Sequence, residues 1–531
     1  MYDKSSLSLR SPEILKGQYD DMNHKYDRRQ FLTSSAQTCS ALLTGTLLLQ
    51  SPAASSAMPT QSTPAEANPS SIDSLNCLLI LDRESVAAAE NVEFHLNPAQ
   101  KHAENPLLSP GAAHEWDGLQ ITWPGTVLYD PDDQMFRCWY SGIDAVQKNR
   151  PPLWVPGYAE SPDGIHWTKP VLGQYRHNDL PTNRIVVDFS DKVLSLVMKN
   201  PDQSNPARKF LALWHNDQQG FRKVLASSPD GKVWKNEGFA FVPVDADRGS
   251  YFDVYQLLHQ PDAPDENDRY IGYAQLYRPY QGRSIRQIGM VHGPHPGALT
   301  PYGTTDEEFV CLRPGEGIDE EHHFASVLKV GQQTVMLFES DNFSKDPLHG
   351  DLRLAVSRDG RKFRRVHPQT PFVSTGAKGM WDENLLVTSS ASMQLVGDEI
   401  RIYYFGCPGV YRFWPYGPLG KSELRASFYY PSYMGMATLP RDRFAYATGP
   451  GSITTEELTI GSSGVWLNAE GSDLLVSCLA PGGKVLAEGH LPASDPQQLY
   501  RQVQWTTPPP TTPCQLKVSL SRDQQLYSVR Y

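Results

Sequence analysis

Acidic residues recur at similar places in the chain, and acids gathered at one site can cleave glycosidic bonds. Asp117 and Asp253 are separated by 136 residues, Glu321 follows after 68 and Asp382 after another 61. Glycoside hydrolysis uses one carboxylic acid to protonate the leaving oxygen and one carboxylate as base or nucleophile. Repulsion among clustered acids separates these two roles, because it raises one pKa and leaves the partner ionised.

The acids Asp117, Asp253 and Glu321 are therefore predicted to be catalytic. Asp117 is assigned as nucleophile or base, and Asp253 or Glu321 as the acid. For each acid alone, the alternatives are a cap on a strand end, a solvated charge or a calcium ligand. The recurrence in four segments favours a shared site.

Other side chains near these acids are predicted to bind the substrate. Asp382 and His322 could contact it or tune charge, although a packing histidine is the alternative for His322. His322 and His323 are adjacent in the sequence, so in a strand they point to opposite faces and only one faces the site. Tryptophans stack on sugar rings through their apolar faces, which nominates Trp116, Trp381 and Trp414. Packing between sheets is the alternative for each tryptophan.

A repeat of about 65 residues would position these groups. One element is a short strand rich in aromatic residues, and a second strand follows each copy. The first element occurs at 137–140, 209–214, 269–273, 334–338 and 401–405, and the second at 158–161, 225–228, 288–291, 354–357 and 434–437. Two strand patterns at one period predict a five-bladed β-propeller, in which the start of each blade faces a central funnel.

Three copies share a turn that explains a second set of aspartates. The turns are Ser161-Pro-Asp-Gly, Ser228-Pro-Asp-Gly and Ser357-Arg-Asp-Gly, each with an aromatic residue three positions after the glycine. The Asp accepts backbone N–H bonds and the Gly takes a positive φ. These aspartates are therefore predicted to be structural.

The ends of the chain have other roles. Residues 1–57 contain Arg28-Arg29-Gln-Phe-Leu, an apolar stretch and a small-residue end, which predicts a twin-arginine signal peptide. A disordered tail with a chance arginine pair is the alternative. Residues 58–75 are predicted to be a linker, 76–447 the propeller, and 448–531 a small β-sandwich made of short alternating strands. The fold class is thus all-β.

Composition excludes several partners. The net charge is -11 without basic runs, which argues against nucleic acid, and no apolar run is long enough for a membrane span. The cysteines show no CxxC spacing for zinc, and Cys478 with Cys514 is the pair to test for a disulfide. No cofactor or metal is required by the sequence, although a structural calcium ion in the channel is compatible with it.

The five-copy period, the Ser-Pro-Asp-Gly-x-x-Trp turns, the Asn105-Pro-Leu-Leu lead-in and the C-terminal sandwich resemble the five-bladed propeller glycoside hydrolases, from about residue 76 to 531. The resemblance implies catalytic acids from the first three blades, with Asp117 as the first and Asp253 as the third. The invertase signatures W-M-N-D-P-N-G, R-D-P and E-C are absent, and the second blade offers only Asp188 and Asp191. The implied protein is a divergent, exported glycosidase.

Such a protein would pass through the twin-arginine export machinery, reside in the periplasm or outside the cell, and act on an oligo- or polysaccharide. The alternative function is a non-catalytic glycan-binding or scaffold propeller.

Overall fold

The computed structural model describes residues 72–143, 155–187, 193–216, 222–241, 250–280, 283–315, 317–342, 349–409, 430–471, 473–493 and 498–531. This part of the chain is all-β and forms several sheets. No helix within it is long and apolar enough to cross a membrane. The predicted signal peptide, most of the linker and Trp414 lie outside the described residues, as does the side chain of Asp253.

Four short strands come first: β1 (Cys77–Leu79), β2 (Ala88–Glu90), β3 (Glu93–Leu96) and β4 (Gln100–Lys101). A short 3-10 turn, Arg83–Ser85, lies between β1 and β2. Five meanders of mainly antiparallel strands follow, with further 3-10 turns at Pro206–Arg208 and Glu266–Asp268. The first meander contains β5 (Gln120–Asp130), β6 (Met135–Ile143) and β7 (Val155–Ser161), followed by the ribbon β8 (Arg176–His177) and β9 (Leu180–Pro181). The second contains β10 (Val186–Val187), β11 (Val193–Lys199), β12 (Phe210–Asn216), β13 (Arg222–Ser228) and β14 (Val233–Phe241).

The third meander contains β15 (Ser250–His259), β16 (Tyr270–Tyr280), β17 (Arg283–Gly293), β18 (Thr300–Pro301), helix α1 (Asp306–Phe309) and β19 (Val310–Leu312). The fourth contains β20 (Ala325–Val330), β21 (Gln333–Asn342), β22 (His349–Ser357) and β23 (Arg364–Val366). The fifth contains β24 (Leu385–Val396), β25 (Glu399–Cys407) and β26 (Tyr433–Pro440), and β4 adds to its edge because Lys101 pairs with Ala437. The two repeated sequence elements therefore lie on the second and third long strands of every meander, as predicted.

The meanders follow one another in a cycle. The first long strands contact each other in the order β5, β11, β15, β20 and β24, and β24 contacts β5 again. The N-terminal strand β4 and the C-terminal strand β26 belong to the same sheet, so both ends of the repeat region meet in the fifth meander.

The Asp-Gly turns have the predicted hydrogen bonds and positive φ, and each also contacts the preceding meander. Gly164, Gly231 and Gly360 have φ values of 76°, 76° and 70°. In the first turn, Asp163 accepts backbone N–H bonds from Ile165 and His166, each at 2.8 Å. An aromatic side chain of the preceding meander donates to the glycine carbonyl of each turn. The three donors and acceptors are Tyr403 to Gly164, Trp139 to Gly231, and Tyr273 to Gly360. Each of the three turns thus makes the same kind of hydrogen bond with the preceding meander.

The chain after the repeats forms two further sheets, with β27 (Ala445–Thr448), β28 (Gly451–Leu458), β29 (Trp466–Glu470), β30 (Leu474–Leu479), β31 (Val485–Leu491), β32 (Tyr500–Gln502), β33 (Gln504–Trp505), β34 (Cys514–Leu520) and β35 (Gln525–Arg530). One sheet has the order β3-β27-β35-β29-β32 with β1 beside β35, and the other β2-β28-β34-β30-β31-β33. Both contribute to one apolar core. Residues 77–96 lie in the range predicted for the propeller, but their strands β1, β2 and β3 pair with β35, β28 and β27 of these two sheets. Cys478 and Cys514 are buried in this core as free thiols.

Candidate functional site

Asp117 belongs to a contact that we call a clasp: a buried aspartate, a cation bonded to it, and an aromatic ring under the cation. Lys169 and the hydroxyl of Tyr140 donate to the same carboxylate oxygen of Asp117, at 2.6 and 2.8 Å. The Lys169 ammonium lies 5.5 Å from the centroid of the Tyr140 ring. Only 2% of Asp117 is exposed. Its carboxylate is therefore engaged by groups of its own meander.

Asp382 forms the same clasp in the fifth meander. Lys101 donates to Asp382 at 2.5 Å, and the Tyr404 hydroxyl donates to the same oxygen at 3.4 Å. Lys101 lies 5.8 Å from the centroid of the Tyr404 ring. The lysine comes from β4, so this clasp also joins the two ends of the repeat region.

The fourth meander has a third clasp, around Asp319. Arg365 donates to Asp319 at 3.1 Å and lies 5.7 Å from the centroid of the Phe338 ring. Phenylalanine has no hydroxyl, and the Asp319 carboxylate instead contacts His322 at 2.9 Å and accepts from Ser340 at 3.2 Å. Burial alone would raise the pKa of Asp319, but His322 and Arg365 hold it at about 2. His322, which was predicted to bind substrate, is fully buried in this clasp.

Two of the predicted sugar-binding tryptophans pack against the clasps. Trp116 stacks on Tyr140 with ring centroids 5.8 Å apart, and Trp381 stacks on Tyr404 at the same separation. Each indole packs directly on glycine residues of its meander. A Cβ atom added at Gly142 would lie only 2.2 Å from the Trp116 ring, so a larger residue there would clash. The Trp116 N–H donates to Asn183 at 2.8 Å, and the side chain is 5% exposed. This packing holds the segment before β5 against its meander.

A different group of acids lies at the end of β21. Glu339 and Asp341 are two residues apart on one strand, so their side chains share a face, and both are fully buried. Side-chain atoms of His323, Glu339 and Asp341 all lie within 4.8 Å of one another. We call these three residues the carboxyl cluster. Nδ1 of His323 is 3.8 Å from a carboxylate oxygen of Glu339. The cluster thus joins β21 to the segment that precedes β20.

The carboxyl oxygens of the cluster accept no hydrogen bond from any other described group. The Glu339 and Asp341 carboxyls contact each other, so they can bond only by sharing a proton. Burial, and then the neighbouring acids, raise the pKa of Asp341 well above its ordinary range, and burial does the same for Glu339. Burial, and to a smaller extent the positive charge of Arg286, lowers the pKa of His323. These groups therefore favour their uncharged forms unless another charge joins them.

Glu321 connects the carboxyl cluster to the third meander and to the surface. Its backbone pairs with that of Asp341, whose N–H donates to the Glu321 carbonyl at 3.1 Å. Arg286, on β17, donates to the Glu321 carboxylate at 3.2 Å. The Glu321 side chain is 15% exposed. Glu321 is thus an acid with one side towards solvent and a fixed arginine partner.

The clasps show which positions of the fourth meander depart from the repeat. Phe338 occupies the place of Tyr140 and Tyr404, because all three lie under the cation of a clasp. The next residue is Glu339 in the fourth meander, and Ser141 or Phe405 in the other two. Two residues further on, Asp341 replaces Ile143 and Cys407. The repeat itself therefore does not require the acids of the carboxyl cluster.

The predicted residues fall into three groups. Asp117, Asp382, Trp116, Trp381 and His322 belong to clasps or pack on them, and Glu321 lies beside the carboxyl cluster. Asp253 lies on β15 and Trp414 beyond β25, and both side chains are outside the described part of the chain.

Sequence reasoning did not single out Glu339, Asp341 or Arg286. The available signal was a pair of acids at alternate positions directly after the apolar run Val335-Met-Leu-Phe.

Comparisons with known proteins identify similar folds. No protein-family model matches the sequence, and no curated protein matches it. Among solved structures, a glycoside hydrolase is similar with a TM-score of 0.44 and 10% identity, over 65% of this chain and 94% of its own. A thermostable family-43 glycoside hydrolase is similar with a TM-score of 0.37 and 16% identity, over 60% and 89%.

An N-acetylgalactosamine deacetylase from F. plautii, in complex with blood group B trisaccharide, is similar with a TM-score of 0.41 and 17% identity, over 65% of this chain and 95% of its own. Glycoside hydrolases are thus among the solved structures to which this chain is similar. Identities this low leave the activity to be argued from the site.

Proposed function

We propose that the protein is an exported glycoside hydrolase-like enzyme that cleaves glycosidic bonds of an oligo- or polysaccharide. The proposed scaffold is a five-bladed β-propeller, with the five meanders as blades. The cyclic contact order of β5, β11, β15, β20 and β24 supports this, as does the sheet in which β4 and β26 meet. The two sheets after the repeats would form a β-sandwich, since they share one core.

The proposed domain bounds follow the strand pairing. The strands β1 to β3 would belong to the sandwich together with residues 445–531, because β1 pairs with β35, β2 with β28 and β3 with β27. The propeller would then run from about Gln100 to Pro440. Residues 1–57 remain the proposed twin-arginine signal and 58–75 the linker, which would direct the protein to the periplasm or the cell exterior.

One observation carries the catalytic proposal: acids gather at the end of β21 where the first and fifth blades have apolar or hydroxyl side chains. Glu321, Glu339 and Asp341 converge there, and Arg286 reaches them from the neighbouring blade. Glu321 would act on the substrate, since it combines partial exposure with a fixed arginine that can orient its carboxylate.

Asp253 remains the proposed partner acid, because its strand β15 contacts β20 within the ring. Asp117 and Asp382 would hold their blades together instead of reacting.

Activity assays on plant and algal polysaccharides and their oligosaccharides test this assignment. Glu321→Gln should lower kcat/KM about 100-fold or more, because an amide can neither donate nor accept the catalytic proton. Glu320→Gln is the matched control, since it makes the same change at the adjacent position. We expect it to retain turnover. Equal turnover in the wild type and Glu321→Gln would remove Glu321 from the mechanism.

The same panel distinguishes the alternative of a non-catalytic glycan-binding propeller. Saturable binding of one glycan by the wild type, without release of product, would favour that alternative. Release of reducing ends that Glu321→Gln abolishes would favour the hydrolase.

A further inference from the structure

We propose that His323, Glu339 and Asp341 form a site for one divalent metal ion of the zinc or manganese kind. The site shares Glu339 and Asp341 with the group of acids on which the proposed function rests, but metal binding is measured apart from hydrolysis, so either proposal can fail without the other. Glu339 and Asp341 lie on β21, and His323 lies two residues before the start of β20. Glu339 and Asp341 are fixed by the pairing of β21 with β22, which is a setting in which ligand geometry is held well. The His323 carbonyl accepts a hydrogen bond from the Gln275 side chain at 3.3 Å.

The spacing of the three side chains suits a bound ion. Their ligand atoms lie within 4.8 Å of one another, and the His323 nitrogen is 3.8 Å from an oxygen of Glu339. Ligands at about 2.0 Å from a tetrahedral zinc ion are about 3.3 Å from each other. Small side-chain rotations would therefore close the site without moving β21.

The unpartnered oxygens are a second observation that indicates a cation. Glu339 and Asp341 are both 0% exposed, and apart from the contact between the two carboxyls none of their four oxygens has a hydrogen-bond partner within the described residues. No lysine or arginine in the described ranges is ion-paired with either residue, and the guanidinium of Arg286 bonds to Glu321. A buried carboxylate is costly unless it is paired or bound to a metal ion. A divalent cation would satisfy both carboxylates together.

The donor set selects the kind of ion. Magnesium and calcium prefer oxygen ligands throughout, and calcium takes six to eight of them. One imidazole nitrogen with two carboxylates is a mixed set, which suits zinc or manganese better. Three protein ligands would leave at least one coordination position for water.

Metal binding to the purified full chain tests the site. After treatment with EDTA, the protein is titrated by calorimetry with zinc, manganese or calcium chloride, and bound metal is measured by mass spectrometry after gel filtration. We expect about one equivalent of zinc or manganese per chain, together with a rise in Tm. Glu339→Gln and Asp341→Asn should each retain less than about one tenth of an equivalent and show no metal-dependent rise in Tm.

Two controls keep the result interpretable. Asp117→Asn removes an equally buried carboxylate from the first blade and should bind metal like the wild type. Circular dichroism and Tm of the metal-free variants establish that Glu339→Gln and Asp341→Asn fold. The site is refuted if the wild type retains neither zinc nor manganese, if calcium alone binds, or if both cluster variants bind as well as the wild type.

Discussion

The clasps and the carboxyl cluster both bury acids, but they satisfy them in opposite ways. Each clasp gives its aspartate a lysine or arginine within 3.1 Å, and the cation lies over an aromatic ring. In the carboxyl cluster, two acids face each other and a histidine, and no described cation is ion-paired with them. The first, fourth and fifth meanders each have a clasp. Of these three, only the fourth also has a carboxyl cluster.

This difference separates buried acids that are bonded to a cation from buried acids that have no ion-paired lysine or arginine among the described residues. A buried ion pair fixes its partners in one geometry, and breaking it leaves an uncompensated charge. A buried carboxyl pair without a cation is costly, so such a pair is a candidate for binding a ligand. Among the recurring acids, Asp117 and Asp382 are bonded to lysines, whereas Glu339 and Asp341 stand where the first and fifth meanders have no acid.

Breaking a clasp should produce the largest change in stability. Lys169→Met leaves the 2%-exposed Asp117 carboxylate without its cation, so the free energy of unfolding should fall by about 3 kcal/mol. Urea denaturation followed by tryptophan fluorescence measures it. The double variant Asp117→Asn/Lys169→Met removes both charges and should recover part of the loss. Purely additive losses in the double variant would show that the pair does not act as a unit.

The clasp in the fourth meander should respond to acid. Because the pKa of Asp319 is about 2 in the folded chain and higher in the unfolded chain, its contribution is present above about pH 4 and is lost as the pH falls towards 2. The shift corresponds to roughly 2 kcal/mol. Asp319→Asn should therefore be less stable than the wild type at pH 6 and approach it near pH 2. Parallel stability curves for the two proteins would contradict this.

Removing an acid from the carboxyl cluster should have the smallest effect, and of opposite sign. In metal-free protein, Glu339→Gln relieves a buried carboxyl pair, so the free energy of unfolding should stay equal or rise by up to about 1 kcal/mol. The measurement is the same urea titration, with EDTA present. A loss as large as that of Lys169→Met would place Glu339 among the structural acids.

The period, the strands and the Asp-Gly turns could be predicted from the sequence because they depend on local patterns. Aromatic and β-branched residues at alternating positions favour strands, and Asp-Gly supplies the hydrogen bonds and positive φ of the turn. The candidate acids remain predictions. Asp117 and Asp382 followed the period, and the same regularity that made them visible reflects their structural pairing with Lys169 and Lys101.

Glu339, Asp341 and Arg286 could not be assigned from spacing, since they stand inside long strands and meet only through pairing across strands. The register that opposes Glu321 to Asp341 is a tertiary property: a shift of one residue would turn each side chain to the other face of its sheet. Similarly, the pairing of residues 77–96 with the C-terminal sheets depends on contacts across about 350 residues of chain or more.

The sequence by itself determined the all-β class, the five repeated segments and the turns between them, because each is specified within a few neighbouring residues. Only the tertiary structure decided which acids are neutralised and which are not. The cations of the clasps come from distant segments, such as Lys101 for Asp382, and the field around a buried carboxyl depends on every charge that folding brings near it.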